Sequence, residues 1–225
     1  MHIGILQCGH APDAILAETG DYEDMFKALF AGEDFTYTTW SVVDGAFPPD
    51  GGAADGWIVT GSRHGVYEDH DWIPPLEDLI RDIAARETPM LGICFGHQII
   101  AQALGGKAIK FPGGWAVGRQ PYDFGDAELN LNAWHQDQVV ELPPNAQVIA
   151  SNPFCENAAL VIGSSILTVQ PHPEFDRTVL AGLIEHRSGA VPPPLVDAAR
   201  AALDKPTDNS EMAARMAAFL KKGAK

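Results

Sequence analysis

The sequence has 225 residues, of which 46% are hydrophobic; this suits one large globular domain and excludes an intrinsically disordered chain. Its formal net charge of −15 argues against a nucleic-acid partner or an anionic membrane surface, because both require basic patches. The N-terminus lacks the features of a signal peptide, and no apolar run approaches the ~20 residues that span a bilayer, so we expect a cytoplasmic protein without membrane contact.

The first half of the chain alternates strand patterns with helix patterns. Short apolar runs predict strands at residues 2–8, 35–40, 56–60 and 90–93. Helices are predicted at residues 21–30, after Pro74-Pro75, and from the fourth strand to Gly105-Gly106. This alternation predicts an α/β fold, in which a mostly parallel central sheet has helices on both faces.

After Gly106 the pattern changes to short β-like runs separated by turn residues. These runs, at residues 107–111, 115–123, 147–151, 158–162 and 166–170, predict a small antiparallel portion attached to the parallel core. A helix follows from about Asp176, and two more are predicted at 195–203 and 210–221. We expect a main domain at 1–191 and a helical C-terminal extension at 192–225, which either packs on the domain or forms an oligomer contact such as a homodimer interface.

The segment Gly92-Ile93-Cys94-Phe95-Gly96-His97-Gln98 has the layout of a nucleophile elbow with cysteine in place of serine. A buried strand ends at a residue flanked by glycines two positions before and after it, and a helix follows at once. A tight turn of this kind leaves no room for side chains at the flanking positions. It also places Cys94 at a helix N-terminus, where the partial positive charge favours a thiolate.

Most free cysteines are buried structural residues, so a lone cysteine would not indicate a nucleophile. The elbow around Cys94 favours the catalytic interpretation for this residue. Cys8 and Cys155 have no comparable setting, and we expect both to be structural. With an odd number of cysteines and no ligand-like spacing, the sequence predicts neither disulfides nor a cysteine-based metal site.

A thiolate nucleophile needs a base, and Gln170-Pro171-His172-Pro173-Glu174 offers one. Side chains two positions apart in an extended segment project to the same side, and the two prolines keep this segment out of a helix. We therefore predict that His172 acts as the base for Cys94 and that Glu174 orients His172. The simpler alternative for His172, a core or surface histidine, is less consistent with an acid two residues further on.

The two motifs, some 75 residues apart, together resemble those of the class I (triad-type) glutamine amidotransferases. Within that family the chain is most similar to stand-alone members related to the glutaminase domain of GMP synthetase. The resemblance extends from about Ile3 to Glu185 and implies the flavodoxin-like fold of the family. It also implies that Cys94 attacks the γ-carboxamide of glutamine or of another γ-glutamyl compound to form a thioester, and that His172 protonates the leaving ammonia or amine.

The resemblance also implies roles for residues around the triad. The Phe95 N–H and an N–H of the Thr60-Gly61-Ser62 turn, from Gly61 or Ser62, would form the oxyanion hole. Gln98 would help to hold the substrate, although a polar residue here could equally cap a loop. Trp115 and His135 belong to segments that line the pocket in the family, and His135 is expected to support the pocket rather than to take part in the chemistry.

No cofactor is expected. A metal site made of His97, His135 and His172 fits no known ligand spacing. The residues after Glu174 are too few for a synthetase domain, so two enzymatic hypotheses remain: a free-standing hydrolase of γ-glutamyl amides or peptides, or a glutaminase subunit that supplies ammonia to a separate synthetase chain. A third hypothesis is a non-catalytic regulatory or binding protein on the same fold, because a fold alone does not establish an activity.

Overall fold

The computed structural model describes residues 1–223. Its strands, in chain order, are β1 (His2–Gln7), β2 (Thr36–Ser41), β3 (Gly56–Val59), β4 (Met90–Ile93), β5 (Lys107–Lys110), β6 (Ala116–Asp123), β7 (Glu128–His135), β8 (Asp137–Glu141), β9 (Ala146–Ala150), β10 (Ala159–Ile162) and β11 (Ile166–Val169). Its helices are α1 (Asp13–Thr19), α2 (Tyr22–Leu29), α3 (Ile73–Ala85), α4 (Phe95–Ala103), α5 (Arg177–His186), α6 (Pro193–Ala201) and α7 (Asn209–Gly223).

Seven strands form the central sheet, in the order β2-β1-β3-β4-β11-β10-β9. Neighbours from β2 to β11 are parallel, whereas β10 and β9 extend the sheet in antiparallel fashion. Two further antiparallel pairs, β5 with β8 and β6 with β7, lie outside this sheet. The predicted α/β fold with a mostly parallel sheet and a small antiparallel part is therefore confirmed.

Helices cover both faces of the sheet. On one face α3 and α4 contribute Leu76, Ile80 and Ile99 to a buried apolar cluster. On the other face α2 and α7 contribute Phe26 and Met216 to a second cluster. The central strands β3, β4 and β11 are buried along their whole length, which explains why their sequences show no polar alternation and contain Thr168 as their one polar residue.

The structure corrects several details of the sequence-based elements. The run at 166–170, predicted within the antiparallel portion, forms β11, which is antiparallel to β10 on one side but parallel to β4 on the other. The elements α1, β7 and β8 were not predicted. The tail helices begin one or two residues earlier than predicted, and both pack on the sheet or on α5. The predicted extension runs to Lys225, and its last two residues lie outside the described residues.

Within residues 1–223, no helix combines the length and apolar character needed to cross a membrane.

Candidate active site

Cys94 occupies the turn between β4 and α4, and its backbone is strained. Its φ is 52° and its ψ is −102°, a conformation that side-chain-bearing residues rarely adopt. The Cys94 N–H donates to the Val169 carbonyl, 2.9 Å away, which ties the turn to the end of β11. Strain held in place by its surroundings is typical of functional turns.

The two glycines of the elbow are required by close packing. A Cβ built on Gly96 would lie 2.1 Å from the carbonyl oxygen of Val59 in β3, and one on Gly92 would lie 2.7 Å from the Gly96 carbonyl oxygen. Real Cβ atoms essentially never approach so closely, so both positions exclude larger residues. The helix that carries Cys94 at its N-terminus therefore sits directly against the sheet.

His172 lies just after β11, beside the elbow, and Glu174 holds its ring. The distance between Nδ1 of His172 and Oε1 of Glu174 is 2.7 Å, and the two side chains are 4% and 1% exposed. The His172 ring stacks on Phe175 with a centroid distance of 3.9 Å and an interplanar angle of 4°. Its backbone N–H donates to the Asn132 carbonyl at 2.8 Å, so both ring and backbone are fixed.

The surroundings of His172 favour its charged form. Burial alone lowers the pKa of an imidazole, but the charges of Glu174 and Cys94, together with hydrogen bonds to both side chains, raise the pKa of His172 to about 10. His172 is therefore an imidazolium at neutral pH, next to the thiol group. An imidazolium in this position stabilises a thiolate, which is the nucleophilic form of cysteine.

The Thr60-Gly61-Ser62 turn lies against the same two residues. A Cβ built on Gly61 would be 3.0 Å from Cε1 of His172 and 3.9 Å from Cβ of Cys94. The Thr60 hydroxyl accepts from the Cys8 N–H at 2.9 Å and donates to the Gly61 carbonyl at 3.0 Å, which fixes the turn. Phe95, the other predicted source of an oxyanion-hole N–H, is the first residue of α4.

A pocket of about 300 Å³ opens over these residues and brings together most of the predicted site. Six predicted residues line it: Ser62, Cys94, Gln98, Trp115, His135 and His172. Gly61, Phe95 and Glu174 are not part of its lining. The roles expected for these three residues, two as backbone N–H donors and one as the acid that orients His172, stay predictions.

Gln98 and His135 both make hydrogen bonds within the protein. Nε2 of Gln98 donates to the Asp137 carbonyl and to Oε1 of Gln170, each 3.0 Å away. Nδ1 of His135 lies 3.2 Å from the Asp137 carbonyl. Burial, the largest effect, together with the nearby His172 lowers the pKa of His135 to about 3, so this ring is neutral. These contacts favour a supporting role for both residues, and direct substrate contact stays a prediction.

The other two cysteines lie outside the pocket. Cys8 and Cys155 are 0% and 1% exposed. Burial raises the pKa of Cys8 strongly, and it raises the pKa of Cys155 to about 12. Neither thiol is therefore prepared for nucleophilic attack.

His97 does not join a metal site with His135 and His172. It is fully buried, and its Nδ1 lies 2.7 Å from the Thr168 hydroxyl. Among the described residues, the group whose potential ligand atoms lie within 4.8 Å of one another consists of His64, Glu68 and His70 instead.

Three cationic residues in the pocket lining were not identified from the sequence. Arg63, Lys110 and Arg187 all line the pocket, and none of them forms an ion pair with another described residue. The same lining contains the carboxyl groups of Glu68 and Asp137, so its three cations outnumber its acidic side chains, although the whole chain has a net charge of −15. Only Arg63 had a signal in the sequence, since it directly follows the predicted turn; the other two come from distant segments.

Comparison with known proteins gives the family context of this site. Residues 52–185 match the family model "Glutamine amidotransferase class-I". Gamma-glutamyl peptidase 4 of Arabidopsis thaliana is 35% identical over 193 residues, a match that covers 77% of this chain and 76% of the relative. The GMP synthase [glutamine-hydrolyzing] of Ralstonia pickettii is 33% identical over 139 residues, which are 54% of this chain and 25% of the relative.

Solved structures show the same fold. A glutamine amido transferase from Methylobacillus flagellatus superposes with a TM-score of 0.79 at 22% sequence identity, and the match covers 100% of this chain and 95% of that one.

Proposed function

The chain belongs to the class-I glutamine amidotransferase family, and from this premise we propose that it hydrolyses the γ-amide bond of glutamine or of a γ-glutamyl compound through a thioester on Cys94. Cys94, His172 and Glu174 are the proposed triad. One observation carries the proposal: Cys94, on a strained elbow, lines the same pocket as the buried His172, whose pKa the Cys94 side chain helps to raise, and Nδ1 of His172 lies 2.7 Å from Oε1 of Glu174. Covalent acyl transfer needs a nucleophile, a base and an acid that orients the base, arranged in this spatial order.

In the first half of the reaction, the Cys94 thiolate attacks the γ-carbonyl carbon and a C–S bond forms. The carbonyl π electrons move to oxygen, and the N–H groups of Phe95 and of Gly61 or Ser62 donate to the resulting oxyanion. The C–N bond then breaks, and Nε2 of His172 gives its proton to the departing nitrogen. A γ-glutamyl thioester remains, and ammonia or an amine leaves.

In the second half, a water molecule attacks the thioester carbonyl. His172, now neutral, takes a proton from this water, the C–S bond breaks, and the thiolate is restored beside the imidazolium. Glutamate is the product. Glu174 keeps Nδ1 of His172 protonated in both halves, so that Nε2 is the atom that transfers protons.

The charges of the pocket favour a substrate with more negative charge than glutamine. Glutamine carries one carboxylate, balanced by its ammonium group, whereas the pocket lining has an excess of positive charge: Arg63, Lys110 and Arg187 against Glu68 and Asp137. A γ-glutamyl peptide has a second carboxylate on its leaving group. We therefore favour a free-standing hydrolase of γ-glutamyl peptides, in agreement with the name of the Arabidopsis relative.

The first experiment measures glutamate release from L-glutamine, γ-glutamyl amines and γ-glutamyl dipeptides, with the wild type beside Cys94→Ala. Cys155→Ala is the matched control, because it removes a buried thiol outside the pocket. We expect release to fall by a factor on the order of 10⁴ or more in Cys94→Ala and to persist in the control. Release that survives in Cys94→Ala would exclude covalent catalysis by this residue.

A second measurement tests the preference for anionic leaving groups. Lys110→Ala should raise KM for a γ-glutamyl dipeptide by about tenfold, because it removes one charge-assisted contact to the substrate. The same change should leave KM unaltered for a γ-glutamyl amine without the second carboxylate. Lys205→Ala, at an exposed position away from the pocket, is the control. Equal effects on both substrates would contradict a contact to the leaving group.

The second candidate function is a glutaminase subunit that delivers ammonia to a separate synthetase chain. It is favoured by the resemblance to GMP synthase, of which this chain matches about a quarter of the length. In that case every substrate would be hydrolysed slowly by the isolated protein while iodoacetamide still labelled Cys94 selectively. Rapid hydrolysis of one substrate by the isolated protein would argue against such a partner.

A further inference from the structure

A second group of polar side chains follows the Thr60-Gly61-Ser62 turn in the sequence, and two of its three members line the pocket. It consists of His64, Glu68 and His70, which we call the rim cluster. Nδ1 of His64 is 3.2 Å from Oε2 of Glu68, and Nε2 of His70 is 2.8 Å from the same oxygen. All three potential ligand atoms lie within 4.8 Å of one another. The proposed mechanism uses none of these groups.

Two of the three distances between ligand atoms in the rim cluster are close to those of a tetrahedral zinc site. Zinc binds histidine nitrogen and carboxylate oxygen at about 2.0–2.2 Å, so two ligands on one ion lie roughly 3.3 Å apart. Both nitrogen-to-oxygen distances in the cluster are within about half an ångström of this value. Two imidazoles and one carboxylate are also a ligand set found in zinc sites.

The cluster is held in place by its own short loop and by Trp72. The His70 ring stacks on Trp72 at 6.0 Å and 15°, and the His64 ring meets Trp72 edge-on at 5.9 Å. The Glu68 N–H donates to the Gly65 carbonyl at 3.1 Å, and the His64 N–H donates to the Ser62 hydroxyl at 3.2 Å. A site fixed in this way loses little conformational entropy when an ion binds.

We propose that the rim cluster is a binding site for a divalent transition-metal cation of the Zn²⁺ class, with His64, Glu68 and His70 as ligands. Three protein ligands leave the fourth position of a tetrahedral ion open to water or to a substrate carboxylate. His64 and Glu68 also line the pocket that contains Cys94, so a bound ion adds positive charge to the pocket wall. This inference does not depend on the proposed function, because binding can be measured without turnover.

The test uses the full-length protein, stripped of metal and kept reduced, and titrates it with Zn²⁺ against a chromophoric chelator. We expect one ion per chain. His70→Ala should weaken the affinity at least tenfold, because it removes one of three ligands without changing the pocket lining. His186→Ala is the matched control, since it removes an exposed histidine at the end of α5. If His70→Ala does not fold, Glu68→Gln removes the charged ligand and keeps the shape.

Zn²⁺ could also bind at Cys94 and His172, and two readouts separate that outcome. Cys94→Ala should keep the wild-type affinity. Co²⁺ bound in place of Zn²⁺ should give ligand-field bands without a thiolate-to-cobalt charge-transfer band. Wild-type affinity in both His70→Ala and Glu68→Gln, loss of binding in Cys94→Ala, or a thiolate charge-transfer band would each overturn the proposal. Glu68 would then be a structural link between two imidazoles.

Discussion

Cys94 adopts a conformation that only glycine takes without strain. With φ at 52°, the backbone stores about 1–3 kcal/mol, which the surrounding packing must offset. We predict that Cys94→Gly is more stable to urea than Cys94→Ala by about 1 kcal/mol, although both lack the thiol. At Cys155, whose φ is not positive, the alanine variant should be the more stable one. Glycine at this position relieves no strain and only raises the conformational entropy of the unfolded chain. An equal or lower stability for Cys94→Gly would show that the elbow is not strained.

The His172–Glu174 pair should make both stability and activity depend on pH. The pKa of His172 is raised to about 10, against about 6.5 in an unfolded chain. The resulting stabilisation is complete below pH ~6.5 and is lost as the pH rises through about 10. Glu174→Gln removes the charge that Glu174 contributes to this shift, so the free energies of unfolding of wild type and variant should differ most near pH 6 and converge towards pH 10.

The same variant should lower kcat by about 10²–10⁴, because the histidine loses its orienting acid while the thiol remains. Wild-type activity should also fall as the pH rises through about 10, where His172 loses the proton that the leaving nitrogen requires. A pH-independent difference in stability, or an unchanged kcat, would contradict this role for Glu174. Glu185→Gln, at an exposed position on α5, is the control.

At the level of single residues, the sequence identifies site residues that belong to continuous motifs. It misses residues that the fold brings to the site from distant segments. Cys94 and His172 each stand within a recognisable run of neighbours, so their proximity could be anticipated. Lys110 and Arg187 reach the pocket from distant segments, and neither has neighbours that distinguish it from a surface cation. The contact between Asn132 and His172 could not be predicted from the sequence either, because Asn132 belongs to β7, which was not predicted.

Helix α4 shows how packing can override helix propensity. Alanine is normally better than glycine in a helix by about 1 kcal/mol. At Gly96, however, a Cβ would lie 2.1 Å from the Val59 carbonyl oxygen, so α4 and β3 would have to move apart. We predict that Gly96→Ala lowers the free energy of unfolding by about 3 kcal/mol or more. Gly32→Ala, where a Cβ meets nothing within 4 Å, should be close to neutral in the same urea titration.

Elements with strong apolar patterns were predicted well, and those with mixed patterns were not. The strands β3 and β4 are buried on both faces, so continuous apolar runs identify them. In β7, Leu129, Leu131 and Ala133 alternate with Asn130 and Asn132, which is a strand pattern, but asparagine is uncommon in strands and the run was not identified. Helix α1 has seven residues and no side-chain cap, so its sequence contains almost no helix signal.

At the scale of the whole molecule, the last helix, α7, forms part of the hydrophobic core. Met212, Met216 and Leu220 of α7 are buried against the same cluster as β1 and α2. We predict that Leu220→Ala costs about 2–5 kcal/mol of unfolding free energy, as core truncations do. Leu195→Ala, at a position that is 37% exposed, should cost far less. A single transition by calorimetry and fluorescence should accompany both, whereas an early separate transition of the tail would show that it folds apart from the sheet.

We therefore propose that the extension predicted at 192–225, as far as the structure describes it, belongs to the main domain at 1–191 and is not an independent unit. The homodimer and the cytoplasmic location expected from the sequence remain predictions.

The adjacency of β4 and β11 sets the order in which the reactive thiol can appear during synthesis. Cys94 leaves the ribosome well before His172, and the Cys94 N–H finds its partner, the Val169 carbonyl, only once β11 has docked. A nascent or truncated chain that ends before β11 therefore carries the thiol without its imidazolium. Selective labelling of Cys94 should therefore report whether β11 has docked beside β4.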